Sequence, residues 1–143
     1  MAGRVESPPP PAKPVPHPDD LSRPYWEAAR EGKLLLQRCS SCGEHQFYPR
    51  PFCLACRGSE LEWIEATGRG RLHTFSVVHR TADRAFAADV PYVFAVVELD
   101  EGPRLTVNVV DTALETLECD IPVRVVFTSI GDDTTVPNAR GEA

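Results

Sequence analysis

Residues 39–56, CSSCGEHQFYPRPFCLAC, hold two Cys-x2-Cys pairs separated by ten residues. Two residues between cysteines let one tight turn aim both sulfurs at a single ion, and two such turns supply the four soft ligands of a tetrahedral site. All four positions are sulfur, which leaves none open for water or substrate. The spacing therefore predicts a structural Zn²⁺ held by Cys39, Cys42, Cys53 and Cys56. A rubredoxin-type iron site uses the same geometry and is an open alternative at this point. A redox Cys-x-x-Cys fits less well, because no βαβ pattern surrounds either pair. Gly43 follows the first pair directly and Gly58 lies two residues past the second. Either can take the left-handed conformation that such a turn needs.

Working outward, Lys33–Arg38 (KLLLQR) and Leu61–Glu65 (LEWIE) read as short strands flanking the knuckles, so the ribbon is expected over 33–62. Some thirty residues with few apolar groups cannot fold by burial alone, and a bound ion supplies the missing free energy. Upstream, Ser22, Pro24, Tyr25, Trp26, Ala28, Ala29 and Gly32 predict a short amphipathic helix within 21–32 that must lie on something else. Tyr25 and Trp26 pack on their own domain or meet a partner. Residues 1–20 carry seven of the 14 prolines within the first eighteen positions and read as a disordered or polyproline-II arm.

Downstream of Gly68 the pattern is β throughout. RLHTFSVVH (71–79), YVFAVVEL (92–99), RLTVNVV (104–110) and VRVVFT (123–128) read as strands, with Leu105, Val107 and Val109 on one face and Val123, Val125 and Phe127 inward. Short strands joined by tight turns suit a small closed barrel over 63–130, since closure removes exposed edges. Residues 131–143 read as a flexible polar tail.

The chain of 143 residues has 15 basic and 21 acidic side chains, net −6. Within Trp63–Phe127, six Arg face ten Asp or Glu, a balance of −4. Nucleic-acid binding draws most of its affinity from phosphate neutralisation, so this balance argues against it. The longest apolar run, Val90–Val97, is broken by Pro91 and falls short of the roughly 18–20 residues that span a bilayer. With no apolar leader at the N-terminus, a soluble cytoplasmic protein is expected, where cysteines signal metal before disulfides. Catalytic candidates are poor. His73 and His79 share a face if their strand is regular, with Asp83 near, yet no activated nucleophile accompanies them. Gly68-Arg69-Gly70 precedes a strand, not the helix a phosphate loop needs. Cys119 lies between Glu118 and Asp120, which disfavours a thiolate.

The order YWEAAREGKLLLQRC, CSSCGEHQFYPRPFCLACRGS, LEWIEATGRGRLHTFSVV, PYVFAVVELDEGPRLTVNVV and PVRVVF resembles the DUF35 family of zinc-ribbon and OB-fold proteins, from about Arg23 to Phe127. The resemblance implies a mostly β fold: an N-terminal helix, a rubredoxin-like zinc ribbon and a five-stranded OB barrel. It implies a non-catalytic accessory subunit of a thiolase-superfamily enzyme, thiolase or steroid side-chain aldolase, with acyl-CoA at the shared interface. Only the four cysteines carry over as ligands. Tyr25, Trp26, Tyr48, Pro49 and Arg50 match aromatic-helix and pre-knuckle positions and are the candidates for the partner or CoA side. Where the family often has an Ile-Gly-Met-Pro-like turn, this chain has Cys119-Asp120-Ile121-Pro122. Two alternatives stand beside this: a single-stranded nucleic-acid module, and a stand-alone acyl-CoA binder using Arg50, Arg57, Arg69 and Arg71.

Overall fold

A computed structural model describes residues 8, 9 and 11–142. One helix and eight strands follow in order: α1 (Arg23–Arg30), β1 (Leu35–Cys39), β2 (His45–Gln46), β3 (Leu61–Glu65), β4 (Arg69–Val78), β5 (Tyr92–Leu99), β6 (Arg104–Val109), β7 (Pro122–Ile130) and β8 (Thr134–Gly141). Strands β2-β1-β3 form a three-stranded sheet, and β4-β5-β6-β8-β7 close into a barrel. The fold is thus mostly β, as expected, with ribbon and barrel built as separate sheets.

The helix starts at Arg23 with Ser22 in the cap position, but the Ser22 side chain makes no capping bond. The Asp19 carboxylate accepts from the Ser22 amide at 2.7 Å, while the Ser22 hydroxyl accepts from the Asp19 amide at 3.1 Å. Hydrogen bonding to the carboxylate, from the Ser22 side chain first and then its amide, holds the Asp19 carboxyl below its ordinary pKa. Gly32 ends the helix at φ 77, with the Lys33 amide returning to the Ala28 carbonyl at 2.9 Å. Tyr25 and Ala29, four residues apart, form the buried stripe.

The barrel interior comes from alternation. Val93, Ala95, Val97 and Leu99 on β5 meet Leu105, Val107 and Val109 on β6, Leu72 on β4 and Val123 and Val125 on β7, all buried. Phe127 packs against this core from its edge. Gly70 marks the closest approach of two strands. A Cβ there would collide with the Glu98 carbonyl oxygen and sit 3.0 Å from its carbon and 3.1 Å from Leu99 Cα. This gives the second glycine of Gly68-Arg69-Gly70 a packing reason, and Gly68 turns the chain into β4 at φ 76.

The C-terminal stretch corrects the expected flexible tail. Residues 134–141 form β8, paired antiparallel with β7 from Ile130↔Thr134 to Val123↔Gly141. Its ladder pairing with β6 is parallel, in register at Val109↔Ala139. Pro137 reads as a strand breaker, but it lies outside that contact, where β8 needs no donor on its second side. The barrel therefore extends past 130, and Ala143 lies outside the described residues. The arm departs from a detached tether in the part that is described. Residues 11–19 have no helix or strand, yet Lys13 Nζ lies 2.6 Å from Asp89 Oδ2 on the barrel. Residues 1–7 and 10 of that arm lie outside the described residues.

Two outcomes follow. Gly70→Ala, facing backbone that cannot step aside, destabilises the fold by about 1–3 kcal/mol, seen as a lower denaturant midpoint with unchanged m-value. Truncation after Asp133 removes a barrel strand, not a tail, and abolishes the cooperative melting transition in calorimetry.

Candidate metal centre

The two cysteine turns are built to one plan. In the first, the Cys39 amide donates to the Glu44 carbonyl at 2.9 Å and the Gly43 amide to the Cys39 carbonyl at 2.7 Å. In the second, the Cys53 amide donates to Gly58 at 2.8 Å and the Arg57 amide to Cys53 at 2.8 Å. Each loop needs a left-handed residue directly after its second cysteine. Gly43 fills that place at φ 80, and Arg57 fills it at φ 64. The expectation for Gly58 is therefore corrected: the left-handed position is Arg57, one residue earlier.

The loops bring all four sulfurs within 4.8 Å of one another. Cys39 Sγ is 3.6 Å from Cys56 Sγ, and Cys42 Sγ is 3.6 Å from Cys53 Sγ. Tetrahedral ligation with metal–sulfur bonds of about 2.3 Å sets the sulfurs about 3.8 Å apart. Backbone amides point in as well: Cys56 N–H toward Cys53 Sγ at 3.5 Å, Gly58 N–H toward Cys56 Sγ at 3.4 Å. The Cys42 amide, most of all, brings the Cys39 thiol down to about 7, and the Cys56 amide likewise lowers Cys53. Cys42 and Cys56 move the other way. The amides of Glu44 and Gly58 favour their thiolates, but burial and the adjoining sulfurs outweigh them, and Cys42 is pushed up to about 12. Thiolates this close repel one another, and a dication among them offsets that charge. Four sulfurs at this spacing fit such an ion and leave no ligand position vacant.

Two buried glutamines hold the centre in place. Gln37 and Gln46 face each other across β1 and β2, and Gln46 Nε2 donates to Gln37 Oε1 at 2.8 Å. Gln37 also grips Arg50, donating to its carbonyl at 2.9 Å and accepting from its amide at 2.8 Å. Gln46 accepts from the Leu54 amide at 2.9 Å and donates to the Phe52 carbonyl at 3.1 Å. The segment carrying Cys53 is thereby clamped on both sides. Sequence reasoning missed this pair; the available signal was two glutamines in strands flanking the first knuckle.

The aromatic candidates lie where the helix meets the ribbon. Tyr25 is fully buried, with ring centroids 4.9 Å from Trp26, 5.3 Å from Phe47 and 5.9 Å from Tyr48. Burial pushes its hydroxyl pKa up. Trp26 Nε1 donates to the Tyr48 hydroxyl at 3.0 Å, so both side chains, half-buried, spend their polar atoms on each other. Pro49 is buried too. Tyr25 and Pro49 are therefore corrected as partner-facing residues: they form the internal joint. Arg50 alone of the five is exposed. What the reading passed over is Phe52 and Leu54, 46% and 56% exposed on either side of buried Cys53.

The remaining candidates do not converge. A register shift between Leu72 and Thr74 places His73 on a bulge and breaks the face it was expected to share with His79, which lies beyond β4. Asp83 uses its carboxylate to cap a short turn, accepting from the Ala85 amide at 2.9 Å. Cys119 is exposed and outside the sulfur cluster. Asp120 takes φ 70, so the Cys119–Pro122 turn keeps its left-handed residue without glycine.

Comparison with known proteins matches residues 26–62 to the ChsH2 rubredoxin-like zinc ribbon domain and residues 63–128 to the ChsH2 C-terminal OB-fold domain. A DUF35 domain-containing scaffold protein of Methanocaldococcus jannaschii is 38% identical over 110 residues, covering 76% of this chain and 77% of that one. The benzoylsuccinyl-CoA thiolase subunit BbsA of Geobacter metallireducens is 29% identical over 114 residues, covering 78% and 71%. A probable enoyl-CoA hydratase alpha subunit of Thermomonospora curvata is 34% identical over 113 residues; the match covers 79% of this chain and only 35% of that protein. Among solved structures, a chain described as Ltp2-ChsH2(DUF35) aldolase superposes with TM-score 0.78 at 32% identity, covering 88% of this chain and 98% of that one.

Gln46→Leu keeps the volume but strands the Leu54 amide and the Phe52 carbonyl. Metal affinity, read by competition with a chromophoric chelator, falls about 10–100-fold. Acidification returns protons to the thiolates, so bound metal is retained at neutral pH and lost as pH falls, tracked by elemental analysis across a pH series.

Proposed function

The chain belongs to the DUF35 family, and from that premise we propose that it is a non-catalytic accessory subunit that docks onto a thiolase-superfamily enzyme and supports its acyl-CoA chemistry. The observation that carries this reading is the likeness, over 98% of its length, to the DUF35 chain of an aldolase assembly. The thiolase-subunit name of a relative supports the same class of partner.

The chain's own geometry agrees with a scaffold. Its concentrated chemistry is a four-sulfur centre, and Zn²⁺ on Cys39, Cys42, Cys53 and Cys56 would cross-link the ribbon without an open ligand position. Among the described residues no helix is long and apolar enough to cross a membrane. Work in the cytoplasm suits four ligand cysteines that must stay reduced. The side offered to the partner is the second knuckle, where Arg50, Phe52 and Leu54 project from a clamped backbone. Exposed apolar side chains on a rigid support are what an assembly interface uses. Acyl-CoA bound between the subunits completes the proposal.

Purification from the native source is expected to yield a complex with a protein whose sequence, by mass spectrometry, belongs to the thiolase superfamily. The isolated chain turns over no acyl-CoA thioester. Phe52→Asp with Leu54→Asp removes the enzyme from the complex on gel filtration while metal content stays the same. Turnover by the isolated chain, or a complex indifferent to both substitutions, refutes the proposal.

A further inference from the structure

The proline-rich arm has no part in the reading above, yet it is seated on the barrel. Lys13 Nζ lies 2.6 Å from Asp89 Oδ2 and 5.6 Å from the centre of the Phe86 ring. Phe86 and Asp89 belong to one tight turn, closed by the Asp89 amide donating to the Phe86 carbonyl at 3.0 Å. That turn therefore presents a ring face and a carboxylate to the same ammonium group. Both attractions need a cation, one through charge and one through the ring quadrupole.

Beneath the arm is a groove of about 520 Å³, with Pro14 on its wall and Phe86, Tyr92, Leu114, Val136 and Asn138 among its lining. The Phe86 and Tyr92 rings are 6.4 Å apart at their centres. On its floor Asn138 is fixed, accepting from the Asn108 amide at 3.3 Å and donating to Thr128 Oγ1 at 3.0 Å. Aromatic walls with fixed polar groups suit an extended proline-rich segment, which is already ordered before it binds. Residues 11–18, PAKPVPHP, are such a segment. Further along, Pro16 and Pro18 border a second cavity beside Trp26 and Thr134, so the arm tracks from the barrel groove to the cap of α1. The anchoring pair is open to solvent, with side chains 39% and 40% exposed, and such pairs hold weakly.

We propose that the Phe86–Asp89 turn, at the edge of the groove beside Tyr92, is a docking site for an extended proline-rich segment bearing one cation, and that residues 11–15 of the chain cover it in the free protein as a displaceable strap. This does not depend on the accessory-subunit reading, because it concerns a different face and an occupant from the chain itself.

The test uses the full chain and a synthetic peptide of the sequence PAKPVPHP. In the unmutated protein, NMR finds the Lys13 Hε protons shifted upfield by the Phe86 ring, and Phe86→Ala removes the shift. Lys13→Asp releases the strap, so the peptide binds that variant about fivefold or more tighter than the parent, where it must compete with the arm. Asp89→Lys reverses the groove's charge and abolishes peptide binding. The Lys13→Asp, Asp89→Lys double swap restores the ion pair but not the cation over the Phe86 ring, so amide exchange at residues 86–89 is slower than in either single variant without regaining the parental rate. Unshifted Lys13 protons in the parent overturn the proposal without any mutant. Equal peptide affinity of the parent and Lys13→Asp overturns it as well.

Discussion

Everything in the N-terminal half depends on four sulfurs sharing one small volume. Thiolates within 4.8 Å of each other repel unless a cation lies among them, and the inward amides satisfy only part of that charge. The same limit shows in the thiols: inward amides lower Cys39 and Cys53, while the adjoining sulfurs and burial raise Cys42 and Cys56. A bound dication removes the conflict and joins β1, through Cys39, to the clamped segment that bears Cys53. Without it the ribbon has Leu34 and Leu36 as its buried aliphatics, too little apolar surface to offset the entropy of ordering its loops.

The ribbon is coupled to the rest through aromatic packing. Tyr25 inserts from α1 into a nest of Trp26, Phe47 and Tyr48, and the Trp26–Tyr48 hydrogen bond ties helix to ribbon across 22 residues of sequence. α1 touches β8 and β7 as well as β1, so the helix sits between the two sheets. The strand that closes the barrel is thus also one that supports the helix. β8 joins the helix to the barrel through contacts that no local pattern announces.

That explains what could and could not be read from the chain. Cys-x2-Cys spacing is a local geometric demand, so the ligands are legible without knowing the fold. Tyr92–Leu99 matches its strand to the residue because it is apolar almost throughout, although burial alternates along it. β8 was illegible because its register is dictated by β7, while its own residues, TTVPNARG, carry little alternation and a proline. Gln37 and Gln46 were missed because polar side chains in short strands look solvent-facing until their partners are known. Tyr25 and Pro49 were misjudged for the opposite reason: an apolar residue on a short helix or loop is sticky in any sequence, and only the fold decides whether it meets self or another chain. Arg57 stands in a left-handed position that glycine would fill more easily, so the better-looking residue one step later drew the assignment.

Clamping also bears on how a small scaffold can bind tightly. Binding an ordered surface avoids the entropy of freezing loops, which otherwise consumes much of the contact energy. Phe52 and Leu54 are such a surface. Their side chains are exposed, but their backbone is held by Gln46 and by Cys53 between them. A loop with the same residues and no sulfur ligand would collapse onto the ribbon or fluctuate. Here the metal ligand itself is the buried member of an exposed–buried–exposed triplet, so ligation sets the direction in which its two neighbours point. The sulfur centre therefore shapes the outer surface as much as the interior.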